Sequence, residues 1–273
     1  MGGGPVSGSA PHVLTAQPLD CGSMPASDTP LALIGYPAPA ARALRDLGLI
    51  AVSVPTDDTR AVLDACRTLR FTGALVHDSQ QIHLLDAVTP DTAARRVGRV
   101  DAVSFAGTLS GTFALTDALS DTLEASGYAT RGASALLVGL DAHDLALALP
   151  LARLGFTDIG VAAESLPEAE RAARDLPAGL RAYPLSRRDP SCRTYAERAD
   201  LVVLTAGPLP GGLVQPYHTL IDLTGRADAS SSGASSIDLS RLPLRRLARQ
   251  LAHATGQRFH PDELEPVLPA LSS

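Results

Sequence analysis

Short apolar runs alternate with amphipathic segments from Leu31 to Gly225, and this alternation restricts the fold more than any other feature of the chain. "LALIG" (Leu31 to Gly35), "IAVSVP" (stopped by Pro55) and "FTGALVH" read as strands, with "APAARALRDLG" and "TRAVLDACRTL" as helices between them. "TPDTAARRVG" predicts a further helix, capped at Thr89 and closed by Gly98. Strands separated by helices demand parallel crossovers, with helices covering both faces of the sheet. "DAVSFAGTLSGTF" breaks the rhythm with a glycine-cornered hairpin, so the first sheet is mixed. A helix from Leu115 to Ser126 leads into a second series: "SALLVG", "TDIGVAA", "LRAYPL", "DLVVLTA" and "HTLIDLTG". The expected organisation is a two-domain α/β protein. It has a Gly-, Pro- and Ser-rich flexible segment (1–30), a small α/β domain (31–128), a nucleotide-type domain (129–237), and C-terminal helices (238–273) that return to the first domain. The tract "RADASSSGASS" from Arg226 reads as a flexible loop.

A chain of 273 residues with 45% hydrophobic content can build such cores. Its 29 acidic against 23 basic side chains, net −6, give no general attraction to a polyanion, which argues against nucleic acid as a partner. Cys21, Cys66 and Cys192 are scattered and odd in number, which suggests free thiols in a reducing cytoplasm. No apolar run is long enough to span a membrane, and no membrane partner is expected. His77, Asp78, His83 and Asp86 lack the regular spacing of a metal site, so no metal is expected. No phosphate-cradling loop, zinc-protease helix or nucleophile elbow occurs. A homo-oligomer stays open.

Three stretches carry finer detail. "LLVGLDAHDLALALPLARLGF" (Leu136 to Phe156) is a strand, a turn and a helix that Pro150 should bend or open. Asp141 stands at the turn either as an N-cap or as a carboxylate facing whatever approaches, and His143 either crosses toward the first domain or stays an exposed first-turn residue. Ser165 with Glu168 forms a capping-box pattern. "LSRLPLRRLARQLAHATG" is a C-terminal helix with Arg245, Arg246 and Arg249 on its wetter side.

The order of "LALIGYP", "FTGALVHDSQQ", "DAVSFAGTLSGTF", "LLVGLDAHDLA" and "ERADLVVLTAGPLPGG" resembles the shikimate dehydrogenase family over roughly Leu31 to Gly256. The resemblance implies a substrate domain with a mixed sheet, a Rossmann-like parallel-sheet domain and an interdomain cleft. It also shows what has changed. The family's serine pair near the first strand belongs to a segment missing or shortened after Pro37. In its NVTxPxK stretch the asparagine falls on Leu75, the threonine on His77, the proline on Ser79 and the catalytic lysine on Gln81. The substrate-binding asparagine falls on Ser104, and the NTD triplet on Phe113, Ala114 and Leu115, so that an aliphatic side chain replaces the catalytic aspartate unless Asp117 substitutes. The GxGGxx turn keeps only Gly139, and Glu164 stands where NADP users place arginine. On these grounds no cofactor is expected.

The cleft loop of the family reads "HDSQQIH" here. His77 and Asp78 are the candidate catalytic pair, with Tyr36, Gln80, Gln81, Ser104, Thr112 and Phe113 as candidate substrate contacts. His77 is either a base, partnered by Asp86, Asp91 or Asp101, or a solvated or capping loop residue. The leading expectation is a divergent, non-redox enzyme, a pseudo-oxidoreductase doing cofactor-independent dehydration, cyclisation or condensation on a small cyclic or carboxylated metabolite. A non-catalytic protein binding a metabolite or a partner protein is the alternative. An NAD(P)-dependent shikimate or quinate oxidoreductase is third.

Overall fold

Leu31–Ile34 (β1) is buried along its whole length, as a strand covered on both faces must be. Leu31 and Leu33 join one core cluster and Ala32 and Ile34 another, because successive side chains leave opposite faces of a sheet. The computed structural model describes residues 1–2, 29–227 and 232–271. Most of the stretch expected to be a flexible N-terminal segment, Cys21 included, lies outside the described residues, as does the middle of the tract from Arg226.

After β1 come α1 (Ala38–Asp46), β2 (Ala51–Val54), α2 (Thr59–Thr68), β3 (Gly73–Val76), β4 (Thr89–Pro90), α3 (Thr92–Val97), β5 (Ala102–Ser104), β6 (Ser110–Thr112) and α4 (Leu115–Ala125). The sheet order is β2-β1-β3-β5-β6-β4. β1 runs parallel to β2 and β3, whereas β5 is antiparallel to both β3 and β6, which makes the sheet mixed. The cap of α3 is Asp91, whose carboxylate accepts the Ala94 N–H at 2.8 Å, rather than the expected Thr89. Thr89 and Pro90 instead pair with Ser110 and Gly111 as the edge strand, a place that tolerates proline's missing donor.

The second series is β7 (Ser134–Val138), α5 (Ala142–Ala146), β8 (Asp158–Ala163), α6 (Leu166–Ala173), β9 (Arg181–Ser186), α7 (Pro190–Ala196), β10 (Leu201–Leu204), β11 (Thr219–Asp222) and β12 (Ser235–Ser236). Its sheet, β12-β11-β10-β7-β8-β9, is parallel throughout. The architecture is therefore two-domain α/β, with a mixed-sheet first domain and a Rossmann-like second. α5 ends after five residues and Leu149–Leu154 continues as a 3-10 turn with Pro150 near its start, as that proline's missing donor requires. At α6 Ser165 holds the cap position without a capping bond. The expected capping box fails because the Glu168 carboxylate is engaged by the Ala142 N–H at 3.1 Å.

α8 (Leu242–Thr255) returns to the first sheet, followed by α9 (Leu268–Leu271). Leu244, Leu247 and Leu251 pack on Leu31, Leu33 and Leu75, each burial contributing about 2 kcal/mol. The approach is so close that a Cβ on Gly73 would stand 2.2 Å from the Ala254 carbonyl oxygen. Among the described residues no helix is long and apolar enough to cross a membrane.

Candidate functional site

β1 and β3 are parallel neighbours with Ile34 opposite Val76, so the residues that follow them emerge side by side at the carboxyl ends of the strands. That end of a parallel pair is where ligands of α/β proteins commonly sit. Tyr36 follows β1, and His77 and Asp78 follow β3, where Asp78–Gln80 forms one 3-10 turn. α8 lies across this edge. Together with Leu115, Leu242, Leu247 and Leu271, these polar residues and Arg246 and Gln250 of α8 enclose a cavity of about 330 Å³. Its lining comes from the first domain and the returning helices.

Arg246 organises the polar side. Its Nε donates to Asp101 at 2.9 Å and its Nη2 to Asp78 at 2.9 Å, and the guanidinium lies over the Phe113 ring, 5.5 Å from the centroid. Asp101 is fully buried and also accepts the Ala114 N–H at 2.8 Å. Burial raises the Asp101 carboxyl above the usual aspartate range, an effect that Arg246 and the Ala114 amide offset in part. Burial works against the charge on Arg246, but the two carboxylates outweigh it and raise its pKa, so it stays cationic. Partial burial would raise Asp78 too, yet Arg246 and the Gln81 amide hold it below the ordinary value. Burial pushes the Tyr36 phenol up, opposed by Arg246 and reinforced by Asp101 and Asp78, which leaves its hydroxyl a proton donor.

Of the expected site residues, the structure brings Tyr36, His77 and Asp78 together. The His77 and Tyr36 rings meet edge to face at 5.2 Å, and His77 Nδ1 contacts the Ser79 hydroxyl at 3.0 Å. His77 also caps the short turn, and among the described residues no carboxylate bonds to its ring. Asp91 and Asp101 are committed to Thr112 and Arg246. Gln81 is buried beneath the site, its amide donating to Asp78 at 2.5 Å. Gln80 packs toward Gly35. Thr112 is buried on Asp91 at 2.6 Å, and Phe113 is core behind Arg246. Ser104 is elsewhere: because β5 runs antiparallel, it pairs with Gly73 at the far end of β3, roughly 13 Å along the strand from His77.

Arg246 and Gln250 were not among the candidates, and Arg246 is not on a wet face as expected. They are one helical turn apart, the spacing that puts two residues on one face, and Gln250 is 4% exposed. A glutamine in register with buried leucines was the available signal.

At the second sheet the turn after β7 is filled from within. Asp141 caps α5 by accepting the Asp144 N–H at 2.9 Å, Asp144 accepts the Leu140 N–H at 3.3 Å, and Glu168 takes the Ala142 N–H. Arg187, 8% exposed, ties the turn to the loop after β10 through the carbonyls of Gly139 and Pro208. Glu164 is engaged by Arg188. His143 reaches the first domain, with Nδ1 2.8 Å from the Arg96 carbonyl oxygen. In this arrangement three amides at the start of α5, those of Leu140, Ala142 and Asp144, already have carboxylate acceptors within the chain, where a bound pyrophosphate would compete for them.

No protein-family model and no curated protein matches the sequence. The fold is shared with solved structures. One is shikimate 5-dehydrogenase of Listeria monocytogenes in complex with shikimate and NAD, at TM-score 0.70 and 16% identity over 88% of this chain and 96% of that one. The Thermus thermophilus shikimate 5-dehydrogenase with NADP(H) and shikimate gives TM-score 0.65 and 22% identity, covering 89% and 99%. Quinate dehydrogenase of Corynebacterium glutamicum with NAD gives 0.65 and 17%, covering 89% and 98%. These likenesses establish the fold. They also overturn the expectation of a non-redox, cofactor-independent pseudo-oxidoreductase, because the same fold occurs in dehydrogenases solved with NAD or NADP(H).

Proposed function

We propose that the protein binds a small polyhydroxylated metabolite in the cavity at the carboxyl ends of β1 and β3. The observation that carries this reading is the set of unused hydrogen-bonding positions around it. Among the described residues, Arg246 Nη1, the Tyr36 hydroxyl and His77 Nε2, the nitrogen left to carry the proton when Nδ1 accepts the Ser79 N–H, have no acceptor, and the second Asp78 oxygen and Gln250 Oε1 have no donor. Donors and acceptors share the lining with leucines. A molecule with several hydroxyls satisfies such a set better than a bare anion, because Arg246 is already neutralised by two carboxylates. Calorimetric titration with shikimate, quinate and neutral cyclitols tests it. Saturable binding by one of them, weakened about tenfold in Tyr36→Phe, is expected. Absence of binding by all, or identical affinity in the variant, overturns it.

A second reading is an NAD(P)-dependent oxidoreductase acting on that metabolite. It is favoured by the dinucleotide-bound dehydrogenases that share the fold. It requires Asp144, Glu168 and Asp141 to release the amides of Leu140, Ala142 and Asp144. Titration with NAD and NADP, followed by the absorbance of reduced nicotinamide in the presence of shikimate or quinate, decides it. Saturable dinucleotide binding with turnover supports this reading, and its absence removes it while leaving the binding proposal standing.

A further inference from the structure

α8 borders a second cavity that the metabolite site does not use. Arg245 and Arg246 are neighbours in sequence but line different cavities. Arg245, Arg249, Arg258, Ala248, Phe259 and Pro261 surround about 420 Å³ between α8, α4 and the chain beyond Gly256, with Asp121 as the lining carboxylate. Arg249 is committed: its Nε and Nη2 hold the two oxygens of Asp121 at 2.8 and 2.6 Å. Arg245 and Arg258 are not. Neither side chain makes a hydrogen bond or ion pair with a described residue, and Arg245 Nε is buried from water without an acceptor. A buried donor left unsatisfied is costly, and such atoms recur where a ligand completes the bonding.

The acidic groups nearby are accounted for. Asp117 and Glu124, on the same helix as Asp121, act on Arg249 from outside the lining. Asp262 is paired with Arg241, and Glu263 accepts the His260 N–H at 2.8 Å. Three guanidinium groups thus face one carboxylate inside the cavity, in a chain whose net charge is −6. The attraction is local, which suits a compact dianion rather than an extended polyanion.

We propose that this cavity binds a small phosphate ester, with its phosphoryl oxygens on the forks of Arg245 and Arg258 and its organic part against Phe259, Ala248 and Pro261. Two planar forks match the several oxygens and double charge of a phosphate, where a carboxylate would fill only one of them. The apolar half of the lining calls for an ester rather than the free ion. The site stands independently of the metabolite cavity.

Calorimetry on the full chain with phenyl phosphate, inorganic phosphate and benzoate as probes tests this. Phenyl phosphate is expected to bind saturably and more tightly than either other probe. Affinity should fall about tenfold or more in Arg258→Gln and in Arg245→Gln, and stay unchanged in Arg60→Gln, an exposed arginine outside the cavity. Arg258 is exposed, so its variant should keep the wild-type unfolding midpoint and the loss can be read as loss of a contact. No saturable heat from phenyl phosphate, equal affinity of phenyl phosphate and inorganic phosphate, or unchanged affinity in both variants would each overturn the proposal.

Discussion

The carboxyl ends of the two sheets occupy equivalent places in their domains and have opposite chemistry. At the first sheet, Tyr36, His77, Asp78, Arg246 and Gln250 surround a cavity with bonding capacity to spare. At the second, Asp144, Glu168 and Asp141 take the amides of Leu140, Ala142 and Asp144 after β7, and Arg187 joins two adjoining loops. The same geometric opportunity is left open in one domain and is taken up at three amides by the chain's own carboxylates in the other. Topology supplies the place for a ligand, and side chains decide whether anything is left there to bind it.

The largest effect expected from this contrast is at the open end. Asp101→Ala should cost about 3 kcal/mol or more in urea unfolding, because it removes the buried carboxylate that holds Arg246 Nε and leaves the Ala114 amide without its acceptor, with only Asp78 still on the guanidinium. A cost below 1 kcal/mol would mean that Arg246 is solvated and the cavity is not organised by it. Next, Gly139→Ala at the closed end should cost about 2 kcal/mol, since the new Cβ would fall 2.8 Å from Thr205 Oγ1 and 3.0 Å from Leu145 Cγ. A neutral result would show that the turn yields easily. Asp141→Ala removes only a cap and should cost about 1 kcal/mol by the same measurement.

The smallest effect is on acid stability. Asp78 has a folded pKa below its ordinary value of 3.8, so the stability it contributes is complete above that value and is lost as pH falls through the folded one. Carboxyl-carbon NMR should find Asp78 titrating below 3.8, and Asp78→Asn should flatten the acid limb of the stability curve slightly. Titration at or above 3.8 would mean that the Arg246 contact is not held in solution.

Much of the fold was legible because its signals are local. Continuous apolar runs such as Leu31–Ile34 and Gly73–Val76 stand out without knowledge of their neighbours, and the glycines of "DAVSFAGTLSGTF" mark a hairpin. The site was legible only where it too is local. Tyr36, His77 and Asp78 follow strand ends that a sequence reveals. Arg246 completes the site from far along the chain, and its partner Asp101 could be read from the sequence only as one possible partner of His77 until the helix returns. Glu168 shows the same limit, for its spacing from Ser165 fits a capping box while its actual donor, Ala142, lies in a different βα unit. Ser104 was misplaced because the hairpin's reversal carries it to the opposite end of β3.

The central claim is that the open end of the first sheet is the ligand seat. It is tested most directly by following assigned backbone and side-chain amide resonances during titration with whichever cyclic polyol or hydroxy acid binds. The shifts should concentrate at Tyr36, His77, Asp78 and the Gln250 side-chain amide. Shifts concentrated at Leu140, Ala142 and Asp144, with the first-sheet residues unmoved, would contradict it.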